Sequence, residues 1–217
     1  MLLIATPKSA STGFLRGIAA SLGIQHFMGS EFFSRSYVFG LKKSEGYHVC
    51  LSNHLTDFFE CNTDIIHTFN NPLQIHKHHL APSPNNIESL AHIKKIILIR
   101  DSKQLAASYF REAQNSKSYR PLFHGCTSLT DFEHVFNSSG MLSEINNFND
   151  GWIADKNASN LVLEYEELVR CSKANRFDLI IKKIEKFFGV SSVTVLKSMP
   201  KHKYYRTNML KKIFKGL

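Results

Sequence analysis

Short apolar runs alternate with amphipathic segments along this chain, and this alternation constrains the fold more than any other feature. Four runs have the length and composition of strands: Leu2–Thr6, Leu73–Lys77, Lys95–Arg100 and Asn160–Tyr165. Apolar residues then repeat at helical spacing in three segments: Thr12–Leu22, Lys103–Gln114 and Arg176–Phe188. Strands that alternate with helices predict an α/β fold, a three-layer sandwich with a mostly parallel central sheet flanked by helices.

Length and charge limit the organisation and the partners. The 217 residues fit one domain, 1–217, and the formal net charge of +9 favours an anionic partner such as a nucleotide, a nucleic acid, an acidic glycan or a membrane surface. No apolar run approaches the ~18 residues that span a bilayer, and the first residues lack the pattern of a signal peptide. The four cysteines show no metal-binding spacing. We therefore expect free thiols and a cytoplasmic protein.

The first loop, TPKSAST, joins the first predicted strand to the first predicted helix. Unpaired N–H groups and the helix dipole make such a loop suited to anions. Lys8 adds a positive charge, and Ser9, Ser11 and Thr12 add hydroxyl donors. The loop is not a Walker A motif, because the glycines are missing and the lysine precedes the hydroxyls. An ordinary helix cap by Ser11 or Thr12, with Lys8 in solvent, is the alternative.

A second anion-binding pattern follows the third predicted strand. Arg100 ends this strand, and Ser108 lies eight residues later on the next predicted helix. Ligands of open α/β sheets bind at the carboxyl ends of strands, and arginine is suited to bidentate phosphate contacts. We therefore expect the two residues to meet at one phosphate.

Four segments together resemble the sulfotransferases that use 3′-phosphoadenosine 5′-phosphosulfate (PAPS) and release PAP. TPKSAST is similar to the family's PKSGTT loop, and RDSKQLAAS is similar to its R-D/N-P-x-x-x-x-x-S segment. NLVLEYEELVR followed by IIKKIEKFFGV resembles its strand-YEDL-helix-FLG region, and IHKHHLAP resembles its K-T-H-L-P segment. The matches extend from residue 2 to about residue 190.

This resemblance implies a role for each matched position. A P-loop-like loop would hold the 5′-phosphosulfate through Lys8, Ser9, Ala10, Ser11, Thr12 and Gly13. Arg100 and Ser108 would hold the 3′-phosphate, and Tyr165 would lie near the adenine. The catalytic groups would be His79, Lys77 and Lys8. The chain departs from the family at Ala10, where glycine is usual, and at Gly13, where the family often has an aromatic residue and Phe14 is the nearest ring. It also lacks the family's late basic segment, for which Arg206 or a neighbouring lysine of the tail is a candidate substitute.

The function that follows is sulfuryl transfer to a hydroxyl or amine of a glycan, a phenol or another small metabolite. His79 would act as the base, with activity rising near the ordinary histidine pKa of about 6.5. Strand alternation places Lys77 and His79 on one side, and His76 and His78 on the other. Metal binding by this HxHH cluster is an alternative that we do not adopt, and we expect neither nucleic acid nor a membrane as partner.

Two rival functions remain at this point. One is a nucleotide kinase-like P-loop enzyme, which would need Mg²⁺ and prefer ATP. The other is a non-enzymatic binder of an anionic polymer, which would use the basic surface as a whole. The segment Ile24–Asn71 is predicted to line the acceptor pocket. The sequence specifies neither the acceptor nor the number of subunits.

Overall fold

The centre of the fold is a parallel sheet of five strands. The computed structural model describes residues 1–28, 42–48, 57–61, 63–115 and 125–190. The strand order is β2-β5-β1-β6-β7, with every neighbouring pair parallel. The strands are β1 (Leu2–Ala5), β2 (Gln25–Met28), β5 (Gln74–His78), β6 (Lys95–Ile99) and β7 (Asn160–Glu164). A separate antiparallel pair consists of β3 (Lys42–His48) and β4 (Asp57–Glu60).

Seven α-helices lie in the described residues. They are α1 (Ser11–Leu22), α2 (Pro84–Ser89), α3 (Leu105–Asn115), α4 (Leu129–Ser138), α5 (Met141–Ala154), α6 (Tyr165–Lys173) and α7 (Phe177–Phe188). Two 3-10 helices span Thr63–Asn70 and Ser102–Gln104. Each strand predicted from the sequence is present, and its ends agree with the observed ends to within one residue. Gly23 and Gly189 end α1 and α7 in the left-handed region, at φ 66° and 71°.

Helices cover both faces of the sheet. Leu2 and Ile4 of β1 belong to one buried cluster, which includes side chains of α3, α4 and α5. Leu3 and Ala5 belong to a second cluster, built with α1, α6 and α7. Because successive side chains of a strand point to opposite faces, this division puts one helical layer on each side of the sheet. The predicted three-layer α/β sandwich is confirmed.

Some elements were not predicted from the sequence. Among them are the edge strand β2 and the helices α4 and α5, the last of which carries Asn149, described below. A capping box of Ser128 and Asp131 begins α4. Trp152 of α5 is fully buried, and its Nε1 donates a hydrogen bond to the carbonyl of Leu80 at 2.9 Å.

Two further properties concern membrane-spanning helices and the cysteine thiols. Among the described residues, no helix combines the length and the apolar character that crossing a bilayer requires. Cys61, Cys126 and Cys171 are free thiols, whereas Cys50 lies outside the described residues. Burial raises the pKa of the Cys61 thiol to about 12, so this thiol is unreactive near neutral pH.

Candidate active site

The residues predicted to carry chemistry lie at the carboxyl edge of the sheet. Parallel register pairs Ile4 of β1 with His78 of β5, and Ala5 of β1 with Leu98 of β6. The three segments that follow these strands therefore leave the sheet side by side. The strand order reverses around β1, and such a switch point is where open α/β sheets bind ligands.

The loop after β1 has a tight, internally bonded conformation. Lys8 and Ala10 adopt the left-handed region, at φ 60° and 54°. The Ser9 hydroxyl is buried and donates to the carbonyl of Thr6 at 2.6 Å, so this side chain closes the turn. The residue at the helix cap is Ala10, and no side-chain hydrogen bond caps α1. The alternative in which Ser11 or Thr12 caps the helix is therefore wrong, and both residues lie within its first turn.

His79 follows β5 directly and contacts the neighbouring strand. Its Nδ1 lies 2.6 Å from the carbonyl oxygen of Ala5. Because a carbonyl only accepts, Nδ1 carries the proton and Nε2 keeps its lone pair. Burial, followed by the positive charges of Lys77 and Lys8, lowers the pKa of His79 to about 3, although the Ala5 contact opposes this shift. His79 is thus a neutral imidazole near neutral pH, with two cations close enough to influence it.

Lys77 joins β5 to the first turn of α1. Its Nζ donates to Thr12 Oγ1 at 3.2 Å, although the two residues are 65 positions apart in sequence. Burial lowers the pKa of Lys77 to about 8, which leaves most of it charged at neutral pH. This side chain therefore brings a cation from the strand to the loop that was predicted to bind an anion.

The other two histidines of the cluster face a different part of the protein. His76 and His78 both pack against the ring of Phe69, with centroids 5.4 Å and 5.5 Å away. Both are buried, whereas His79 is partly exposed. The geometry separates His79 from the pair, as alternation along a strand requires.

Lys8 points from the loop toward α3. Its Nζ lies 5.6 Å from the ring centroid of Tyr109, within the range of a cation–π interaction. Tyr109 is buried in the core cluster of that face. An aromatic wall thus flanks the lysine that the sequence assigns to the reaction.

Arg100 follows β6 and is buried, with 6% of its surface exposed. Its Nη1 donates to the carbonyl of Lys8 at 2.5 Å, and its Cζ lies 4.2 Å from the ring centroid of Tyr165. Its Nε is buried and has no hydrogen-bond partner among the described residues. Burial lowers the pKa of Arg100, but Tyr165 and Glu166 act in the opposite direction. A buried arginine with an unused donor is suited to an incoming anion.

A cavity of about 860 Å³ opens beside Arg100. Its lining includes four cationic side chains and one carboxylate, namely Arg100, Arg111, Arg170, Lys173 and Glu166. Tyr165 forms part of the same wall. Ser108 is absent from this lining, but its hydroxyl accepts a hydrogen bond from Arg111 Nη2 at 3.4 Å. Excess positive charge in a cavity of this size is suited to a multiply charged anion.

Sequence reasoning missed three of these cations. Arg111 lies three residues after Ser108 on α3, a helical spacing that places both on one face and could have been noticed. Arg170 and Lys173 lie on α6, which packs beside the cavity only because β7 pairs with β6. The predicted Arg206 lies outside the described residues. Phe14, the ring nearest Gly13, is buried in the core at 6.3 Å from Phe177.

Comparisons with known proteins support the fold assignment. No protein-family model matches the chain, and no curated protein sequence matches it. Among solved structures, the mouse sulfotransferase SULT7A1 complexed with PAP has the same fold, with a TM-score of 0.58 and 16% identity. The match covers 100% of this chain and 62% of that one. A sulfotransferase from Alicyclobacillus acidocaldarius has a TM-score of 0.46 and 10% identity, with 99% of this chain and 91% of that chain covered.

Proposed function

We propose that this protein transfers a sulfuryl group from PAPS to a hydroxyl or amine of an acceptor. One observation carries the proposal above the others: a neutral His79 lies within the electrostatic influence of Lys77 and Lys8. Lys77 in turn bonds to Thr12 of the loop that resembles a phosphosulfate-binding loop. A base and two cations thus converge at the carboxyl edge of a sheet whose fold is that of a sulfotransferase.

The described residues fit PAPS at both of its charged ends. The loop after β1, with the uncapped first turn of α1, offers N–H groups to the 5′-phosphosulfate. Arg100 offers its unused Nε, and Arg111 adds charge beside Ser108 for the 3′-phosphate. Tyr165 supports the Arg100 guanidinium from the side of the cavity. The whole nucleotide-binding set is Lys8, Ser9, Ala10, Ser11, Thr12, Gly13, Arg100, Ser108 and Tyr165, to which we add Arg111. Ser9 contributes by closing the turn of the loop, because its hydroxyl already donates to the Thr6 carbonyl.

In the proposed reaction the protein forms no covalent bond to the transferred group. When bound, PAPS supplies the sulfuryl group that the acceptor receives. His79 Nε2 accepts the proton of the attacking hydroxyl or amine, and the hydrogen bond from Nδ1 to Ala5 holds the ring in the required tautomer. Lys8 stabilises negative charge on the oxygen that leaves with the nucleotide, and Lys77 stabilises charge on the oxygens of the transferred sulfuryl group. Positioning and charge stabilisation account for catalysis in this arrangement.

The acceptor is proposed by class. A glycan, a phenol or another small metabolite with a hydroxyl or amine fits the chemistry. We assign its pocket to the segment Ile24–Asn71, of which β2, β3, β4 and the following 3-10 helix are described. The free thiols suit a reducing compartment, so we propose that the enzyme acts in the cytoplasm. Neither nucleic acid nor a membrane is part of the proposal.

A thermal-shift comparison of nucleotides tests this function. PAP should stabilise the protein by about 2.7 kcal/mol at 100 times its dissociation constant, and AMP at the same concentration should stabilise it far less. Equal shifts with PAP and AMP would contradict the proposal. A preference for ATP with Mg²⁺ would favour the kinase-like alternative. A response to heparin alone would favour a polymer binder, and an acceptor panel with PAPS then completes the test.

A further inference from the structure

Asn149 of α5 lies between the two regions of the candidate site. The residue is buried, with 9% of its surface exposed. Its Oδ1 accepts a hydrogen bond from Thr6 Oγ1 at 2.7 Å, and its Nδ2 donates to the carbonyl of Arg100 at 2.8 Å. The two bonds use the two different ends of the amide, and the Arg100 carbonyl requires the nitrogen end. One side chain thus binds the residue that begins the first loop and the residue that follows β6.

A second contact closes this arrangement into a ring. Arg100 Nη1 donates to the carbonyl of Lys8, two residues after Thr6. Two hydrogen bonds connect Thr6 through Asn149 to the Arg100 backbone, and a third connects the Arg100 side chain back to Lys8. Lys8 adopts a left-handed conformation, which persists only when the surroundings hold it. The loop and Arg100 therefore cannot move independently while Asn149 bridges them.

We propose that Asn149 is a positioning residue that fixes the separation between the 5′-anion loop and Arg100, and that it thereby tunes the site to a nucleotide with anions at both ends. This inference rests on the proposed function. Asn149 acts through Thr6 and Arg100, because both of its hydrogen-bonding groups are bound to them. A ligand with both phosphates depends on the correct separation. A ligand with the 5′-phosphate alone contacts one region and does not depend on it.

Calorimetric binding of PAP and AMP to matched variants tests the inference. Asn149→Leu removes both hydrogen bonds at similar volume, and Thr6→Val removes one of them. Either change should lower the ratio of PAP affinity to AMP affinity, by about tenfold for Asn149→Leu. Thr6→Ser keeps the hydroxyl and should keep the ratio. Asn147→Ala, at an exposed position of the same helix, is the control and should also keep it.

The outcomes separate the inference from the function on which it rests. If wild-type protein does not prefer PAP to AMP, the proposed function fails and the inference fails with it. If wild type prefers PAP and the variants lose thermal stability with an unchanged ratio, Asn149 has a structural role only and the inference is wrong. If Asn149→Leu does not fold, Thr6→Val decides the matter, since it removes only one of the two hydrogen bonds and replaces the hydroxyl with a methyl group of similar size.

Discussion

The Nδ1 atom of His79 lies 2.6 Å from the carbonyl oxygen of Ala5, and this contact assigns the two ring nitrogens different roles. Nδ1 is the donor, so Nε2 is the nitrogen that accepts a proton. The contact exists because β1 and β5 are parallel neighbours in the register that pairs Ile4 with His78. A base on the strand end is thereby oriented by the strand beside it, without a carboxylate partner in the contact.

Replacement of His79 is the most direct test of the base. His79→Ala should lower turnover about 10²–10⁴-fold, because general base catalysis contributes about that much. Binding of PAP, measured by calorimetry, should change little. His92→Ala is a matched control at an exposed histidine and should leave turnover unchanged. Normal turnover in His79→Ala would show that the base lies elsewhere, and a carboxylate of the Ile24–Asn71 segment would be the next candidate.

The pH dependence should differ from that of an ordinary histidine. The unperturbed pKa of a histidine is about 6.5, so the sequence alone predicts that activity rises near this pH. The structure corrects this expectation, since burial and the two lysines lower the pKa of His79 to about 3. The neutral form already dominates above that value, so kcat/KM should stay flat from about pH 5 to pH 7.5. A full step near pH 6.5 in wild type would contradict the assignment.

Lys77 should determine how kcat/KM changes with pH on the alkaline side. Its pKa is lowered to about 8 by burial, so its charge is present below that pH and lost above it. We expect kcat/KM to decline above about pH 8, and Lys77→Arg to move this decline to higher pH because arginine stays charged. Lys77→Met should lower activity at every pH and raise the pKa of His79. An unchanged alkaline limb in Lys77→Arg would exclude Lys77 as its source.

Lys8 should contribute to the reaction more than to nucleotide binding. Lys8→Ala leaves the loop backbone in place and removes the ammonium beside Tyr109. Turnover should fall about 10²-fold or more, as expected for loss of one stabilising charge at the transition state, whereas PAP affinity should fall far less. Lys156→Ala, at an exposed lysine, controls for loss of net charge. Parallel losses of turnover and affinity would indicate that Lys8 only binds the nucleotide.

The cationic cavity should account for recognition of the 3′-phosphate. Arg111→Ala and Arg170→Ala each remove one positive charge from its lining. Each should weaken PAP binding about 3- to 30-fold and leave AMP binding nearly unchanged, because only PAP carries the second phosphate. Lys186→Ala, an exposed lysine of α7, is the control. Equal losses for PAP and AMP would assign these arginines to general electrostatic attraction.

Close packing at Gly151 should make this position intolerant of a side chain. A Cβ at Gly151 would lie 2.5 Å from Cγ and 2.7 Å from Cβ of Pro82, so α5 or the segment after His79 must shift. Gly151→Ala should therefore lower the free energy of unfolding by about 1–3 kcal/mol, measured by urea denaturation. Asp150→Ala, its exposed neighbour, should change stability little or slightly raise it. Equal stability of the two variants would mean that Pro82 moves at no cost.

Much of the architecture was readable from local patterns. The run KIILIR predicts a buried strand, and Lys95–Ile99 is β6. The spacing of Phe14, Leu15 and Ile18 predicts a helix that covers one face of the sheet, and these side chains lie in the second core cluster. Such predictions succeed because hydrophobic periodicity depends on residues a few positions apart. The segments that resemble a sulfotransferase could also be found in the sequence, because each consists of one or two stretches of about a dozen consecutive residues or fewer.

The sequence by itself determined four of the five strands of the sheet, the helices α1, α3 and α7, and the residue types available at the strand ends. Only the tertiary structure decided what those residues do there. It committed the Ser9 hydroxyl to the turn, neutralised His79 by burial beside two lysines, and gave Arg100 a second role in holding Lys8. It also brought Arg170 and Asn149 next to Arg100, from which both are distant in sequence. The physical reason is that hydrogen-bond partners and pKa values depend on desolvation and on charges contributed by other elements, and chain order alone does not specify these.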